Sequence, residues 1–380
     1  MRLVLDLMGG DHAPRAPLEG VAQTYRELLA SGCELFLVGD VEKITPLLRQ
    51  SRFRLLARAI ESDRIHLVHA AETIAMDDSI RAVRRKPDAS INVGLGLVAE
   101  SQGRGTASSS GSHQTAFISA GHSGAVMTSA LLKLGRVPGV ERPAIAVRLP
   151  TLTDFKTGAL GCILLDVGAN VDCKPEHLRD FAVLGSLFAA SQQQPVTRRK
   201  KQAPARKLPR VGLLSNGHEA SKGNELTRNA MELIRNLPAF APGSPTAIGE
   251  FVGYVEGKDL FRGKVDVAVT DGFLGNILLK SLEGMGMAIV TRFRQEARHS
   301  LLTRLGFLLQ APAYFRLRAR VNYVEYGTAP LLGVNGHAFV CHGRSTGKAF
   351  ARSLLRARDA VRSGYLDQIG PALVNNSAQV

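Results

Sequence analysis

The residue types that could carry out chemistry in this chain are concentrated in five loops rich in glycine, asparagine, aspartate and lysine. No carboxylate pair and no His/Cys cluster at metal-ligand spacing stands out. The loops offer backbone N–H groups, a lysine amine, asparagine amides and histidine rings, which bind anions and stabilise oxyanions. The five loops are 6–14, 119–126, 164–178, 213–227 and 267–280. This inventory suits a reaction in which a bound phosphate is itself the nucleophile that attacks a carbonyl carbon.

The second loop, SAGHSGAV, admits three interpretations. It could bind a phosphate through N–H groups at a helix N-terminus, present a nucleophilic serine, or simply turn the chain. The nucleophile-elbow pattern G-x-S-x-G fails because position 125 is alanine. The late histidines that could complete a triad, His337 and His342, have no independent support. We therefore favour anion binding by the backbone of this loop.

Each loop supplies polar side chains or glycines that could contact a ligand. A single Gly-rich turn after a strand is common, but five of them predict a shared site for a phosphate or a carboxylate. The candidate residues are Asp11, His12, Gly121, His122, Ser123, Gly124, Asn170, Asp172, Lys174, Lys222, Asn224, Asp271, Gly275 and Asn276.

Strands must precede these loops, and eight apolar runs predict them. The runs are 2–7, 34–40, 64–69, 115–120, 144–150, 161–167, 210–216 and 264–271. Their continuous Val, Ile and Leu content is typical of strands buried on both faces, as in a parallel sheet covered by helices. Helical patterns alternate with the runs, which predicts an open α/β fold with ligands at the carboxyl ends of the strands.

Three segments interrupt this alternation. Residues 101–114 are rich in Gly and Ser and predict a flexible surface insertion, and the basic segment 191–210 predicts a disordered loop. Residues 297–326 combine Leu, Phe and Tyr with Arg, and Pro312 divides them into a predicted helical hairpin. From pattern alone, a packing or dimer role for this hairpin is favoured over a role at a membrane interface.

The formal net charge of +15 predicts an anionic partner: nucleic acid, an anionic membrane or an acidic protein. Nucleic acid is disfavoured because aromatic residues make up only 6% and no RNP-like or zinc-finger pattern occurs. The four scattered cysteines are typical of reduced thiols in a cytosolic protein. No signal-peptide pattern and no run of about 20 apolar residues was found, so we expect no membrane span.

Seven motifs together resemble the bacterial phosphate acyltransferases of the PlsX family. They occur in family order between Met1 and about Val361: DLMGGDHAP (6–14), AVRRKPDAS (82–90), SAGHSGA (119–125), LGRVPGVERPA (134–144), LDVGANVDCKPEHL (165–178), KGNELT (222–227) and VTDGFLGN (269–276). The resemblance implies a three-layer α/β/α Rossmann-like sandwich with a mostly parallel sheet, related to phosphotransacetylase and isopropylmalate dehydrogenase folds. We expect a single acyltransferase domain over 1–361 and a C-terminal tail over 362–380.

The resemblance also implies an activity and partners. Members transfer a long-chain acyl group from acyl-carrier protein to inorganic phosphate, and the acyl phosphate passes to a membrane glycerol-3-phosphate acyltransferase in phospholipid synthesis. A homodimer attached to the inner face of the bacterial cell membrane is implied. We assign no cofactor, no metal ligands and no nucleic-acid partner, and leave open whether a divalent metal assists. Acyl-carrier protein and the inner leaflet are both anionic, which accounts for the positive charge.

Carried over by motif, Lys222 and Asn276 are the implied catalytic residues. Lys222 supplies positive charge, and Asn276 donates to the thioester oxygen. Gly121, Ser123 and Gly124 hold phosphate. Asp11 and His12 either orient the nucleophile and protonate the leaving thiolate or only close their loop.

Two departures from the family pattern stand in its motifs. Members usually carry asparagine and threonine at positions 122 and 123, where this chain has histidine and serine, so the role of His122 is open. HGRSTGKA (342–349) replaces a more usual Ser-Asp pair. We expect activity to survive both changes.

The hairpin matches the membrane-contacting segment of the family in position and character, so the resemblance reverses the preference stated above. Its implied contacts are Phe307, Leu308, Leu309, Tyr314, Phe315 and Arg316. Two rival functions stay open: a phosphotransacetylase-like enzyme that uses coenzyme A thioesters, and a non-catalytic membrane scaffold.

Overall fold

The computed structural model of the protein describes residues 1–103, 114–152, 161–192, 208–321 and 328–377. Most of the predicted insertion 101–114 and of the basic segment 191–210 lies outside these ranges. The interpretations of those two segments therefore stay predictions.

Eleven strands of the described residues form one sheet. In chain order they are β1 Arg2–Asp6, β2 Glu34–Gly39, β3 Ile65–His69, β4 Thr115–Ser119, β5 Ala144–Leu149, β6 Cys162–Leu165, β7 Arg210–Leu214, β8 Glu250–Val255, β9 Val267–Val269, β10 Thr328–Leu332 and β11 His337–Cys341. Their order across the sheet is β3-β2-β1-β4-β11-β10-β5-β6-β9-β7-β8. All eight predicted strands are present, whereas β8, β10 and β11 were not predicted.

The strand direction reverses near the middle of the sheet. β1 to β4 and β11 are parallel to their neighbours at one end, and β6 to β9 are parallel at the other. Three antiparallel pairings separate β11 from β6, so the two groups run in opposite directions. The loops 6–14 and 119–126, here the N-terminal loop pair, therefore start at one edge. The loops 164–178, 213–227 and 267–280, the C-terminal loop trio, start at the other.

Helices cover both faces of the sheet. They are α1 Arg15–Ala30, α2 Val41–Leu48, α3 Arg54–Glu61, α4 Ala82–Arg85, α5 Ser90–Ser101, α6 Ser123–Leu134, α7 Pro175–Gln192, α8 Glu225–Arg235, α9 Gly257–Arg262, α10 Gly272–Glu296, α11 Leu301–Val321, α12 Gly347–Ser363 and α13 Leu366–Ser377, with 3-10 turns at Ser51–Phe53 and Pro238–Phe240.

Successive strand residues alternate between two hydrophobic cores. Leu3 and Leu5 pack with buried residues of α1, α7 and α12, whereas Val4 packs with buried residues of α5 and α6. Burial on both faces explains why the strands are continuously apolar in sequence. The three-layer α/β/α fold with a mostly parallel sheet is confirmed.

The helical hairpin is formed by α10 and α11, and its turn lies at 297–300 rather than at Pro312, which sits inside α11. Ser300 and Thr303 begin α11 as a reciprocal cap, because each side chain accepts a hydrogen bond from the other's backbone N–H, at 3.1 and 2.9 Å. The predicted division of 297–326 at the proline is therefore wrong. Residues 322–326 of that prediction lie outside the described part.

Aromatic contacts join the two arms of this hairpin. Phe293 of α10 stacks on Tyr314 of α11 with ring centroids 5.2 Å apart and also meets Phe307 of α11 at 5.9 Å. Leu308 and Leu309 are 68% and 79% exposed, as a membrane contact requires. Phe307 and Tyr314 are instead half-buried between the arms. The side chains of Phe315 and Arg316 lie outside the described part.

Among the described helices, α10 alone is long and apolar enough to cross a membrane by length and composition, with a mean hydropathy of 1.3 over its best window. The expectation that no stretch reaches this length does not hold for α10. The same composition also occurs in helices that never enter a bilayer.

Residues beyond 361 are part of the packed fold. Leu366, Ile369 and Leu373 of α13 are buried in the core that contains α7. Residues 366–373 are therefore not a separate tail, although the predicted tail also contains residues 378–380, outside the described part.

Candidate active site

Asp6, at the end of β1, holds the N-terminal loop pair together. Its carboxylate accepts hydrogen bonds from the Ser119 hydroxyl at 2.6 Å and from the Met8 N–H at 2.8 Å. The Ser119 oxygen in turn accepts the N–H of Gly121 at 2.9 Å. Burial raises the pKa of Asp6, and these hydrogen bonds oppose the rise. Sequence reasoning did not single out either residue, although an Asp between an apolar strand and a Gly-Gly turn is a usable signal.

His122 caps the helix that begins at the second loop. Its Nδ1 accepts the N–H of Ala125 at 3.2 Å, so the ring stands where an N-cap side chain normally lies. Ser123 and Gly124 follow in the first turn of α6 and are half-buried. A helix N-terminus with a serine hydroxyl beside it is a favourable anion site. The capping role answers the question left open by the departure at position 122.

Asp166, at the end of β6, organises the first loop of the C-terminal trio. Its carboxylate accepts four backbone N–H groups, from Ile145, Gly168, Ala169 and Asn170, at 2.7–3.2 Å. Burial raises the pKa of Asp166, and this set of donors opposes it.

Asn170 serves this loop internally. Its side-chain nitrogen donates to Asp166 at 2.9 Å and to the Pro143 carbonyl at 2.7 Å. Both amide hydrogens are therefore used within the protein, and the predicted contact of Asn170 with a ligand does not fit this arrangement.

The start of α10 packs directly on the Asp166 loop. A Cβ added to Gly275 would lie 1.8 Å from the Asp166 carbonyl oxygen, so only glycine fits there. This close approach places Asn276 beside Gly168, where an added Cβ would stand 3.7 Å from the Asn276 side chain. Asp271 is the N-cap of α10 and accepts the Leu274 N–H at 2.8 Å. One oxygen of Asp271 therefore caps α10, and its predicted contact with a ligand stays a prediction.

Lys222 lies on the second loop of the trio, between β7 and α8. Asn224 caps α8 in a capping box with Thr227, since each side chain accepts the other's backbone N–H. Asn224, like Asp271, therefore holds a helix in place. The Gly223 N–H donates to the Asn216 side chain at 2.9 Å, so the chain directly after Lys222 is tied back to the start of its loop.

His218 ties the Lys222 loop to α9. Its Nε2 lies 2.7 Å from Asp259, and Lys264 approaches the other carboxylate oxygen of that residue at 2.8 Å. Burial alone would raise the pKa of Asp259, but Lys264, the Glu256 N–H and His218 lower it to about 2. Asp259 is therefore a carboxylate at neutral pH, and the loop has a charged anchor.

A cavity of about 770 Å³ lies along α10 and the central strands. Its walls are largely apolar, and its polar lining includes Ser123 from the N-terminal pair with Gly168 and Asn276 from the C-terminal trio. The two loop groups therefore meet at this cavity although their strands point in opposite directions. Its size is typical of a small-molecule site.

Several polar residues of the cavity were not predicted as site residues, and Lys280, Glu283 and His342 are among them. Lys280 and Glu283 line it from α10, and their side chains form an ion pair at 3.1 Å. Asn276, Lys280 and Glu283 follow the i, i+4, i+7 spacing of one helix face, a signal readable in the sequence. His342, at the end of β11, had been considered only as a triad member.

His342 presents a neutral ring to the cavity. Its Nδ1 accepts the N–H of Arg344 at 3.0 Å. Burial lowers the pKa of this histidine. The negative charge of Glu283 opposes this decrease, and the positive charge of Lys280 adds to it. The imidazole is therefore uncharged at neutral pH.

The remaining predicted site residues do not line the cavity. Lys222 is half-buried on its loop, whereas Asp11, His12, Asp172 and Lys174 are exposed. The Asp11 N–H donates to the Gly343 carbonyl at 2.8 Å, which fixes the first loop against the chain after β11.

Burial keeps two cysteines near the site in the neutral thiol form. Burial raises the pKa of Cys341, which lines the cavity, to about 11, and that of Cys173 to about 12. Neither is a thiolate at neutral pH. No group of three or more His, Cys, Asp or Glu in the described part could hold a metal ion.

This sheet, with helices on both faces and an apolar cavity where the two loop groups meet, defines an α/β enzyme of phosphotransacetylase-like fold. The structure matches the EutD phosphotransacetylase from Staphylococcus aureus with a TM-score of 0.52 and 14% identity, over 96% of this chain and 94% of that one. It matches a branched-chain phosphotransacylase from Enterococcus faecalis with a TM-score of 0.50 and 12% identity, over 95% and 100% of the two chains. At these identities the similarity shows the fold alone.

Closer relatives define the family. The chain is 46% identical over 357 residues to the phosphate acyltransferase of Myxococcus xanthus, covering 93% of this chain and 88% of that protein. It is 42% identical over 370 residues to the one from Heliobacterium modesticaldum, covering 97% and 96%. The model of the family described as "Fatty acid synthesis protein" matches residues 1–368. The chain therefore belongs to this family, the PlsX-type phosphate acyltransferases, and is an acyltransferase of fatty acid and phospholipid synthesis.

Proposed function

We propose that the protein transfers a long-chain acyl group from acyl-carrier protein to inorganic phosphate, which yields an acyl phosphate. The observation that carries the proposal is the cavity of about 770 Å³, whose walls are apolar and whose polar lining joins Ser123 to Asn276. An acyl chain fits such walls, and a phosphate fits the N-terminus of α6.

In this reaction the acyl group passes from the carrier thioester to the phosphate. A phosphate oxygen attacks the thioester carbonyl carbon, a C–O bond forms, and the C–S bond breaks to release the carrier thiol. Ser123 and the first N–H groups of α6 orient the phosphate. Asn276 donates its amide to the carbonyl oxygen as negative charge develops there, a contribution typically worth about 10²–10³ in rate.

Lys222 supplies positive charge from the neighbouring loop. Only β9 separates β7 from β6 in the sheet, so the Lys222 loop starts at the same edge as the loop that carries Gly168. Both predicted roles of Asp11 and His12 stay open: acting on the nucleophile or the leaving thiolate, and closing their loop, which the bond from the Asp11 N–H to the Gly343 carbonyl supports.

The reactivity of the acyl phosphate and the exposed surface of α11 support a proposal for the enzyme that uses this product. An acyl phosphate is a reactive mixed anhydride, and we propose that a membrane glycerol-3-phosphate acyltransferase consumes it. The exposed leucines of α11, with Leu301 at 82% and Leu309 at 79%, support attachment to the inner face of the cell membrane. The net charge of +15 favours an anionic leaflet and an acidic donor. We further propose a cytoplasmic homodimer.

Acyl-phosphate formation from palmitoyl-carrier protein, with and without inorganic phosphate, tests this function in the native protein and in Lys222→Ala. We expect product only with phosphate, and a loss of about 10²-fold or more in the variant. Acyl release that ignores phosphate would favour Ser123 as a hydrolytic nucleophile. Phosphate-dependent turnover of palmitoyl-coenzyme A alone would favour a coenzyme A enzyme, and no release would favour a scaffold.

A further inference from the structure

An arginine-rich turn beside the N-terminal loop pair has no part in the reaction proposed above. Arg81, Arg84 and Arg85, on and just before α4, are exposed, and none of them forms an ion pair with another described residue. The neighbouring Lys86 pairs with Asp78 at 2.7 Å, so the turn itself presents to solvent three positive charges that no described residue pairs, with the exposed Asp77 and Asp88 on either side of it. Such a surface attracts an anionic partner.

The turn is held rigidly on the helices that carry the phosphate loop. The Asn92 side chain of α5 donates to the carbonyls of Val83 and Lys86 at 2.8 and 2.7 Å. Its oxygen accepts the hydroxyl of Ser129 in α6 at 2.7 Å. Because α6 begins at Ser123, one buried relay fixes the arginines relative to the anion-binding loop.

Two exposed apolar side chains lie in the segment just before the arginines. Met76 and Ile80 are 57% and 51% exposed. Ile80 also borders the phosphate loop, since a Cβ added to Gly124 would stand 3.6 Å from its Cδ1. Arginine around methionine and isoleucine is the composition of a protein–protein contact rather than of a solvated loop.

We propose that Met76, Ile80, Arg81, Arg84 and Arg85, the arginine platform, dock an acidic helix of the carrier protein that delivers the acyl thioester. The inference rests on the proposed function and names the surface that the donor uses. A donor docked there would hold its thioester beside Ser123, at the polar lining of the cavity. A bilayer fits this surface less well, because it exposes only two large apolar side chains, whereas α10 and α11 expose many.

The test is a triple charge reversal, Arg81→Glu/Arg84→Glu/Arg85→Glu, in the full chain. The matched control is Arg54→Glu/Arg58→Glu/Arg64→Glu. It makes the same change of charge at three exposed positions, two on α3 and one in the turn just before β3. Initial rates are measured with palmitoyl-carrier protein and with palmitoyl-pantetheine, a small uncharged thioester. We expect kcat/KM for the carrier protein to fall about 100-fold, mainly through KM, with the pantetheine rate and the control within about 2-fold of native.

Several outcomes would contradict the proposal that the arginine platform docks the carrier protein. They are an unchanged rate on the carrier protein, an equal loss on both thioesters, or an equal loss in the control. Lost binding to phosphatidylglycerol vesicles with normal carrier-protein turnover would assign the surface to the membrane instead. If the reversal prevents folding, Arg81→Gln/Arg84→Gln/Arg85→Gln replaces it, with an expected loss of about 10-fold. A native protein that turns over pantetheine but not the carrier protein would instead refute the proposed donor.

Discussion

Two buried aspartates lie at the carboxyl ends of β1 and β6, one in each half of the sheet, yet they hold their loops in different ways. Asp6 binds a serine hydroxyl and thereby joins two loops that are more than 100 residues apart, as Ser119 is 113 residues away. Asp166 binds four backbone N–H groups, three of them within its own loop. One half therefore depends on a side-chain relay, and the other on backbone packing that leaves little freedom for substitution.

The largest expected effect is the loss of the Asp166 carboxylate. Asp166→Ala leaves four N–H groups without this acceptor, those of Ile145 and Asn170 buried and those of Gly168 and Ala169 partly exposed, so the free energy of unfolding should fall by about 4 kcal/mol. Asp6→Ala removes fewer partners and should cost about 2–3 kcal/mol. Urea unfolding compares the two with Asp172→Ala, an exposed aspartate of the same loop, which should lie within about 0.5 kcal/mol of native. An equal cost for Asp6 and Asp166 would break the comparison.

Two glycine substitutions in α10 test how closely its backbone packs on the Asp166 loop. Gly275→Ala places a methyl group against the Asp166 carbonyl and should destabilise by more than about 3 kcal/mol, because neither backbone can yield easily. Gly284→Ala, on the same helix with nothing within 4 Å of the added carbon, should stabilise by up to about 1 kcal/mol. Thermal melting of both variants checks this, and a harmless alanine at 275 would contradict the close approach.

A smaller effect is expected at the cap of α6. His122→Ala removes the acceptor of the Ala125 N–H and should cost about 1 kcal/mol. His122→Asn restores a good N-cap and should recover native stability and native KM for phosphate. If both variants behave alike, the ring has a role other than capping.

The pH dependence of stability should be smallest and confined to acid. Because the folded pKa of Asp259 is about 2, below its ordinary value, its ion pairs stabilise the fold above pH 4 and lose this contribution as pH falls toward 2. Asp259→Asn should flatten the stability profile in that window. An unchanged profile would contradict the role of Asp259 as a charged anchor of the Lys222 loop.

The sequence predicted the layers of the fold better than its details. Strands buried on both faces are recognisable, whereas β10 was not, because Pro330 in a central strand lacks the N–H that such strands normally donate. Pro312 was interpreted as the hairpin break although α11 continues through it. The true turn is marked by the weaker signal of Ser300 and Thr303.

Site prediction met a similar limit. Asn224 and Asp271 have side chains suited to ligands, but the same residue types are the preferred helix caps, and the structure uses them so. Ser123 and Asn276 do line the cavity. His342 joins them only because β11 pairs with β4, a strand more than 200 residues earlier, which no local pattern indicates.

The central claim is that phosphate attacks the thioester in the cavity beside Asn276. Steady-state kinetics of Asn276→Ala with palmitoyl-carrier protein and phosphate, beside Asn229→Ala on the exposed face of α8, tests it most directly. If the amide stabilises the oxyanion, kcat falls by about 10²–10³ with little change in either KM, and Asn229→Ala stays native. A native kcat in Asn276→Ala would place the reaction elsewhere and contradict the claim.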